Sequence, residues 1–129
     1  PPVQLDKNRM LISSDATIET VGVDLFVETS QHPEEVAEIV KAHLLEDMEL
    51  VTITNRGTQV WPTGSVFTDL VGNYVVRIER KEGVVIKKKK FVEQAMVLFD
   101  HLRIGSLEML IMLDGERKYS LAQGQKAKR

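Results

Sequence analysis

The chain has 129 residues, of which 43% are hydrophobic and 28% are charged, and its formal net charge is −2. This length and balance are typical of one globular domain with its own core, and they argue against a disordered chain or a coiled rod. The small negative charge excludes a general attraction to nucleic acid. The chain contains no cysteine. That excludes disulfides and thiolate chemistry, and it is compatible with the cytoplasmic location that we expect.

The chain divides into three parts by composition and periodicity. Residues 1–20 show no clear periodicity, and we interpret them as a leader or an interdomain linker, in which Met10-Leu11-Ile12 suggests a short strand. Residues 21–125 predict a single α+β domain, and residues 126–129 are interpreted as a frayed basic tail. The apolar runs are short, so we expect no membrane partner. The chain begins with Pro1-Pro2 and no initiator methionine, which leads us to expect an excised or processed piece of a longer polypeptide.

The first half of the domain predicts a strand and a helix. From Val21 to Glu28 hydrophobic and polar residues alternate, with Phe26 as the exception, and a period of two predicts a strand. Apolar residues then recur at helical spacing from Pro33 to Leu45. Proline at the first helical position, followed by acidic residues, favours a helix start at Pro33.

The segment from Leu50 to Pro62 predicts a β-hairpin with a polar tip. Its first residues are mainly β-branched, and Asn55-Arg56-Gly57 then tolerates the positive φ that a tight reversal needs, with Gly57 at the strained position. Trp61 closes the hairpin. Packing of Trp61 into the domain's own core is the default interpretation, but tryptophan is enriched at interface hot spots. Trp61, Asn55 and Arg56 are therefore the candidate interface residues.

The second half predicts a strand, a helix and a last strand. Residues 74–80 alternate as a half-buried strand does, and residues 84–86 are expected to extend the sheet. An apolar stripe predicts a second helix from about Lys90 to Arg103. Leu107 to Leu113 is too apolar for its periodicity to decide, and we take it as a strand because a strand completes the pattern. We assign no element to the polar residues from Gly115 onward.

The predicted order strand–helix–strand–strand–helix–strand is that of a ferredoxin-like two-layer sandwich (βαββαβ). In this architecture one mainly antiparallel sheet is backed by two helices. The alternative is a less regular α+β arrangement in which Leu107 to Leu113 is helical.

The sequence offers no catalytic, cofactor-binding or metal-binding residue. The histidines, His32, His43 and His101, are not spaced as a local metal pair, and we interpret the last two as structural imidazoles on helices. The carboxylates are scattered, without a spacing that forces two of them into one cleft. Asp24 and Glu28 share one strand face and are interpreted as a solvated sheet edge.

One charge run, Lys87–Lys90, precedes the second predicted helix. Its first interpretation is a solvated helix entry. Four lysines oppose the positive end of the helix dipole, so the alternative is a contact with a phosphate or with an acidic partner face.

Three segments carry a family resemblance in the same order: Val21 to Glu28, Leu50 to Pro62, and Leu113-Asp114-Gly115 with Leu121 to Gln125. They resemble the carboxy-terminal accessory domain of the Thermus- and Rickettsia-type NADP-dependent isocitrate dehydrogenases. Together they span nearly the whole chain. The chain departs from the family in having Trp61 where a tyrosine is usual, and the lysine run is not typical.

The resemblance implies a non-catalytic accessory domain that serves dimerisation, stabilisation or regulation of an enzyme converting isocitrate to 2-oxoglutarate. Substrate and metal residues of that family lie in its catalytic domains, so the resemblance implies none here. NADP and magnesium or manganese would belong to the parent enzyme. The implied partners are the parent's catalytic domains or a second copy of this chain.

A different class has the same predicted order of elements, namely the small ligand-sensing modules of the ACT type. Those modules usually have a glycine in the loop between the first strand and the first helix, where the backbone approaches the ligand. Here that loop is residues 29–33 and has no glycine, which disfavours this alternative.

Overall fold

The computed structural model describes residues 3–4, 19–64, 72–102, 104–113 and 119–125, with residues 3–4, 104–113 and 119–125 described by their backbone. Seven strands and two helices follow one another in these residues. They are β1 (Val3–Gln4), β2 (Thr20–Thr29), α1 (Pro33–Ala42), β3 (Met48–Asn55), β4 (Thr58–Trp61), β5 (Gly72–Arg80), α2 (Lys88–His101), β6 (Ile104–Leu113) and β7 (Tyr119–Gln125).

The strands form one sheet in the order β1-β7-β6-β2-β5-β3-β4. Every described pairing is antiparallel except that of β1 with β7. This confirms the α+β class, with a mainly antiparallel sheet and two helices. The sheet is wider than the four strands of the predicted pattern, because β4 continues it past β3, and β7 and β1 continue it past β6.

The core lies between the helices and one face of the sheet. On β2, Val23, Leu25 and Val27 are almost fully buried, whereas Phe26 and Glu28 between and beyond them are exposed, as the two-residue period of a strand requires. Both helices add apolar side chains to the same cluster, so both lie on the same face of the sheet. Their buried members are Val36, Ala37 and Val40 from α1 and Phe91, Val92, Ala95 and Leu98 from α2.

The first helix ends at Ala42 instead of continuing to Leu45 as predicted. The reason is a contact from α2. The fully buried Gln94 donates its Nε2–H to the carbonyl of His43 at 2.9 Å, and its Oε1 accepts the N–H of Leu45 at 2.6 Å. A longer helix would need that N–H for its own ladder of hydrogen bonds. The side chain of Gln94 therefore takes the backbone groups that would have extended α1.

The predicted boundaries of the second helix and of the strand before it are also corrected. The helix begins at Lys88 and ends at His101, earlier at both ends than predicted. Residues 84–86 do not form a strand. Instead, the carbonyl of Ile86 accepts the N–H of Thr20 at 2.9 Å, and one isolated bridge pairs Glu19 with the residue before α2. The chain therefore reaches the sheet at a single point before it enters the helix.

The last part of the sheet differs from the prediction in one strand. The ambiguous segment is strand β6, which begins earlier than predicted, at Ile104. Strand β7 was missed because residues 119–125 lie in the polar segment to which we assigned no element. Its sequence, Tyr-Ser-Leu-Ala-Gln-Gly-Gln, has too little apolar alternation to predict a strand, and its pairing with β6 is the constraint that the sequence did not reveal. The short strand suggested by residues 10–12 lies outside the described residues.

The hairpin and its tight tip are confirmed. Arg56 has φ 50° and Gly57 has φ 81°, so the two residues of the loop both have positive φ. This is the pattern of a type I′ turn, whose twist matches that of the strands on either side. The space around Gly57 is open, with no atom within 4 Å of an added Cβ. A larger side chain would therefore fit at position 57, but the positive φ of the backbone there disfavours residues other than glycine.

We predict that Gly57→Val lowers the free energy of unfolding by about 1–3 kcal/mol through backbone strain alone. Chemical denaturation of the wild type and the variant measures this difference. Gly57→Asn is the matched control, and it should cost less because asparagine adopts the left-handed region more readily than a β-branched residue. An unchanged midpoint and slope for the valine variant would contradict the turn geometry.

Candidate interaction surfaces

Two of the three histidines, His43 and His101, contact each other where the helices end. The rings of His43 and His101 stack with centroids 3.7 Å apart and an interplanar angle of 27°, at the carboxy-terminal ends of the two helices. The Nδ1 of His43 lies 2.9 Å from the carbonyl oxygen of Ile39. Within residues 19–64 and 72–102, no group of three His, Cys, Asp or Glu residues is arranged to hold a metal ion. The stack was not predicted, because the two histidines are far apart in the sequence.

Trp61 lies half-buried at the end of the hairpin. It pairs in register with the buried Ile53, which places it on the helix-covered face, and it packs against the core. The Nζ of Lys41 on α1 lies 5.8 Å from its ring centroid, a distance at which an ammonium is attracted by the ring. Trp61 thus contacts its own domain on one side and keeps part of its ring accessible.

The other two candidate residues lie at the tip of the same hairpin. Asn55 donates its side-chain Nδ2–H to the carbonyl of Asn73 at 3.1 Å, which ties the tip to the neighbouring strand β5. Arg56 is exposed. The fold therefore brings Asn55 and Arg56 together at the tip, while Trp61 lies at the other end of β4.

The lysine run forms the entry to α2. Lys87 occupies the cap position, and no acidic residue lies in the first turn of the helix. The Nζ of Lys87 is 3.8 Å from Glu19 Oε1, and the Nζ of Lys90 is 3.9 Å from Glu93 Oε2. The side chains of these two lysines and two glutamates are all about half exposed. Ion pairs with this exposure contribute between about 0 and 1 kcal/mol to the free energy of unfolding. The acids in the described part of the chain therefore offset the run only weakly.

The face of the sheet opposite the helices is here called the open face, and the cross-strand register defines it. Residues that pair directly project on the same side of a sheet. The open face therefore carries the partners that are out of phase with the buried residues. Its members with described side chains are Gly22, Asp24, Phe26 and Glu28 of β2, Asn73, Val75, Arg77 and Glu79 of β5, and Glu49, Thr52 and Thr54 of β3.

An ion pair lies in the middle of the open face. Arg77 donates from Nε to Asp24 Oδ1 at 2.8 Å and from Nη2 to Asp24 Oδ2 at 3.0 Å, so the pair is bidentate. The Asp24 side chain is only 10% exposed, against 40% for Arg77. The interpretation of Asp24 as part of a solvated edge was therefore wrong, because β2 lies in the interior of the sheet. The sequence contained a signal for this ion pair, because Asp24 and Arg77 are opposite charges at polar positions of two alternating strands.

These features define an α+β domain that offers surfaces for contact. Neither described helix is long and apolar enough to cross a membrane. Residues 18–125, which are most of the chain, match a family model described as "Bacterial isocitrate dehydrogenase, C-terminal domain". The chain belongs to this family of carboxy-terminal domains.

The curated relatives are much longer than this chain. The chain is 35% identical to the NADP isocitrate dehydrogenase of Thermus thermophilus over 111 residues, which is 81% of this chain and 21% of the relative. It is 29% identical to the NADP isocitrate dehydrogenase of Rickettsia felis over 121 residues, 88% of this chain and 24% of the relative. The chain thus spans about a quarter or less of the length of these relatives.

A solved structure agrees in fold. The crystal structure of the TT0538 protein from Thermus thermophilus superposes with a TM-score of 0.62 at 30% identity, covering 84% of this chain and 22% of that chain.

We predict that replacing Arg77 destabilises the domain more than replacing Asp24 does. Arg77→Met leaves the nearly buried Asp24 carboxylate without its guanidinium and should lower the free energy of unfolding by about 1.5–3 kcal/mol. Asp24→Asn should cost less, because the 40% exposed Arg77 can turn toward water. Glu28→Gln, an exposed change on the same strand, is the control and should stay within about 0.5 kcal/mol. Equal costs for the two single variants, measured by urea denaturation, would contradict the burial argument.

Proposed function

We propose that this chain is a non-catalytic accessory domain of an NADP-dependent isocitrate dehydrogenase, which oxidatively decarboxylates isocitrate to 2-oxoglutarate. The observation that carries the proposal is the match of residues 18–125 to a family of carboxy-terminal domains whose relatives are several times longer than the match. NADP and magnesium or manganese then act in the catalytic domains of the parent enzyme. The domain contributes dimerisation, stabilisation or regulation, in the cytoplasm.

The same proposal assigns a ferredoxin-like core to the domain. Its support is the order of six elements along the chain, β2-α1-β3-β5-α2-β6. The four strands among them lie side by side in the sheet in the order β6-β2-β5-β3. In this arrangement the outer strands β4, β7 and β1 are additions at the two edges of the core. Both described helices lie on one face, and no other described element lies over the opposite face of the same four strands, which is the face proposed for a partner.

The proposed partners are the catalytic domains of the parent enzyme or a second copy of the chain, and the hairpin side carries the contact. Trp61 is the proposed anchor, with Asn55 and Arg56 beside the tip. The support is a tryptophan that packs against the domain's own core and yet stays only half-buried. Large aromatic side chains with this partial cover supply much of the binding energy at interfaces.

The ligand-sensing alternative finds less support in the loop between β2 and α1. The hydroxyl of the buried Tyr74 donates to the carbonyl of Gln31 at 3.0 Å, and the N–H of Gln31 donates to Thr29 Oγ1 at 3.1 Å. Internal partners therefore already hold the backbone of Gln31, which a ligand would have to displace.

We predict that the purified chain alone does not reduce NADP with isocitrate and manganese, because the residues for that chemistry belong to the catalytic domains. A spectrophotometric assay of NADPH formation measures this. The control is the same assay with a complete dehydrogenase of the family. Turnover that stays with the chain through repeated purification would contradict the proposal.

We predict that Trp61→Ala weakens association with the partner by more than about 1 kcal/mol, as truncation of an interface anchor does. Analytical ultracentrifugation measures self-association, and calorimetry measures binding to the catalytic domains. Val60→Ala, which truncates the buried neighbour of Trp61 on the same strand, separates lost stability from lost contact. Trp61 is only a core residue if its truncation lowers the unfolding temperature and leaves association unchanged.

A further inference from the structure

The open face is organised in rows, and the side chains of three rows are described on β2, β5 and β3. Strand β6 continues these rows through its backbone register, with Glu108 as the partner of Phe26. Phe26, Val75 and Thr54 are paired across β2, β5 and β3 and form one row. The next row is the Asp24–Arg77 ion pair with Thr52, and the third consists of Gly22, Glu79 and Glu49. On these three strands the described side chains therefore change from apolar (the apolar row), through the ion pair, to acidic (the acidic row).

The acidic row places two carboxylates directly opposite each other. Glu49 pairs in register with Glu79, and like charges in that position destabilise a sheet. Gly22, the third member of the row, has no side chain with which to separate or cover them. Within residues 19–64 and 72–102, neither glutamate has a salt bridge to a lysine or an arginine. Among the described residues the pair is therefore a local cost, which a cation from a partner would relieve.

The apolar row of the open face, Phe26 with Val75 and Thr54, offers a partner a hydrophobic contact beside the acidic one. Phe26 is 36% exposed, one of the two large hydrophobic residues that are exposed in the described part of the chain. Val75 and Thr54, next to it, are partly buried and present a β-branched surface. Neither described helix lies over this row, because both helices pack on the other face of the sheet.

The charges select among possible occupants. Arg77 neutralises Asp24, so the remaining described charges of the open face are Glu28, Glu49 and Glu79, all negative. Two copies that met through this face would place acids against acids. A partner with an apolar patch beside lysine or arginine side chains would satisfy both rows.

We infer that the open face docks the catalytic part of the dehydrogenase, which presents an apolar patch to Phe26 and a lysine or arginine to the Glu49–Glu79 pair. This inference rests on the accessory-domain function proposed above and adds a second surface to the hairpin side. The two surfaces meet at the hairpin tip, because Thr52 and Thr54 on β3 lead to Asn55 and Arg56, whereas Trp61 lies on the helix-covered face.

Carboxyl labelling tests the location of the contact. The full chain is prepared alone and also joined to the catalytic domains of the Thermus thermophilus relative, in place of that enzyme's matching carboxy-terminal segment. Labelling is done on joined protein that forms NADPH from isocitrate, so the catalytic domains are folded. Carbodiimide coupling followed by mass spectrometry should show severalfold less labelling of Glu49 and Glu79 in the joined protein. The matched acids Glu38 and Glu46, which are exposed and lie on or after α1, should be labelled equally in both.

A charge reversal gives a second, independent readout with opposite signs. Glu49→Lys turns a repulsive cross-strand pair into an attractive one, so it should raise the unfolding temperature of the chain alone. In the joined protein it should lower the domain's unfolding temperature and restore labelling of Glu79. Glu38→Lys makes the same charge change on α1 and should leave the labelling of Glu79 in the joined protein unchanged.

The alternative outcomes distinguish a failure of the open-face inference from a failure of the accessory-domain function. Protection of Glu38 and Glu46 with full labelling of Glu49 and Glu79 overturns the open-face inference and leaves the accessory function standing. No protection anywhere on the domain overturns both. A dimer of the chain alone that Phe26→Asp dissociates assigns the open face to a second copy, and this also overturns the inference.

Discussion

The alternation of side chains along β2 is the constraint on which the rest of the domain depends. β2 pairs on both edges, with β5 and with β6, so its register fixes that of both neighbours. A slip by one residue would turn Leu25 outward and carry Asp24 into the core. An unpaired carboxylate there would cost far more than the slip could recover. The bidentate contact with Arg77 on the other face therefore also fixes the register of the sheet.

The helical layer is held at one end by polar groups and elsewhere by apolar packing. Gln94 has no solvent exposure, yet both ends of its amide are satisfied by backbone groups just after α1. Loss of either bond would leave a buried polar group unsatisfied, at a cost of about 1–3 kcal/mol. The stacked rings of His43 and His101 lie where the two helices end. Hydrogen bonds such as those of the Gln94 amide permit one relative placement of the helices, whereas apolar contacts alone tolerate several.

The sequence predicts most of the elements and few of the contacts between them. The hairpin, with its positive φ at Gly57, follows from local residue preferences, and so do the two amphipathic helices. The features that the sequence did not reveal depend on residues distant in the chain. Gln94 lies 49 residues after Leu45, and a single sequence does not show that its amide ends α1. Strand β7 likewise depends on β6, and the location of Asp24 in the sheet interior depends on β6 lying beyond it.

The strand β3 joins the two surfaces proposed for contact, and a bulge determines how. Leu50 pairs with Ile78 and Thr52 with Arg77, so one extra residue, Val51, is inserted between them. In a regular strand Leu50 and Ile53 would point to opposite faces, because they are three residues apart. The extra residue lets both face the core, and it lets Glu49 and Thr52 both lie on the open face. A bulge also increases the local twist and bend of its strand. The bulge lies between the acidic row and the two other rows, and the strand continues from there into the hairpin tip. A partner that covers the open face must follow this twist, so the bulge restricts the shape of the partner as well as its charge.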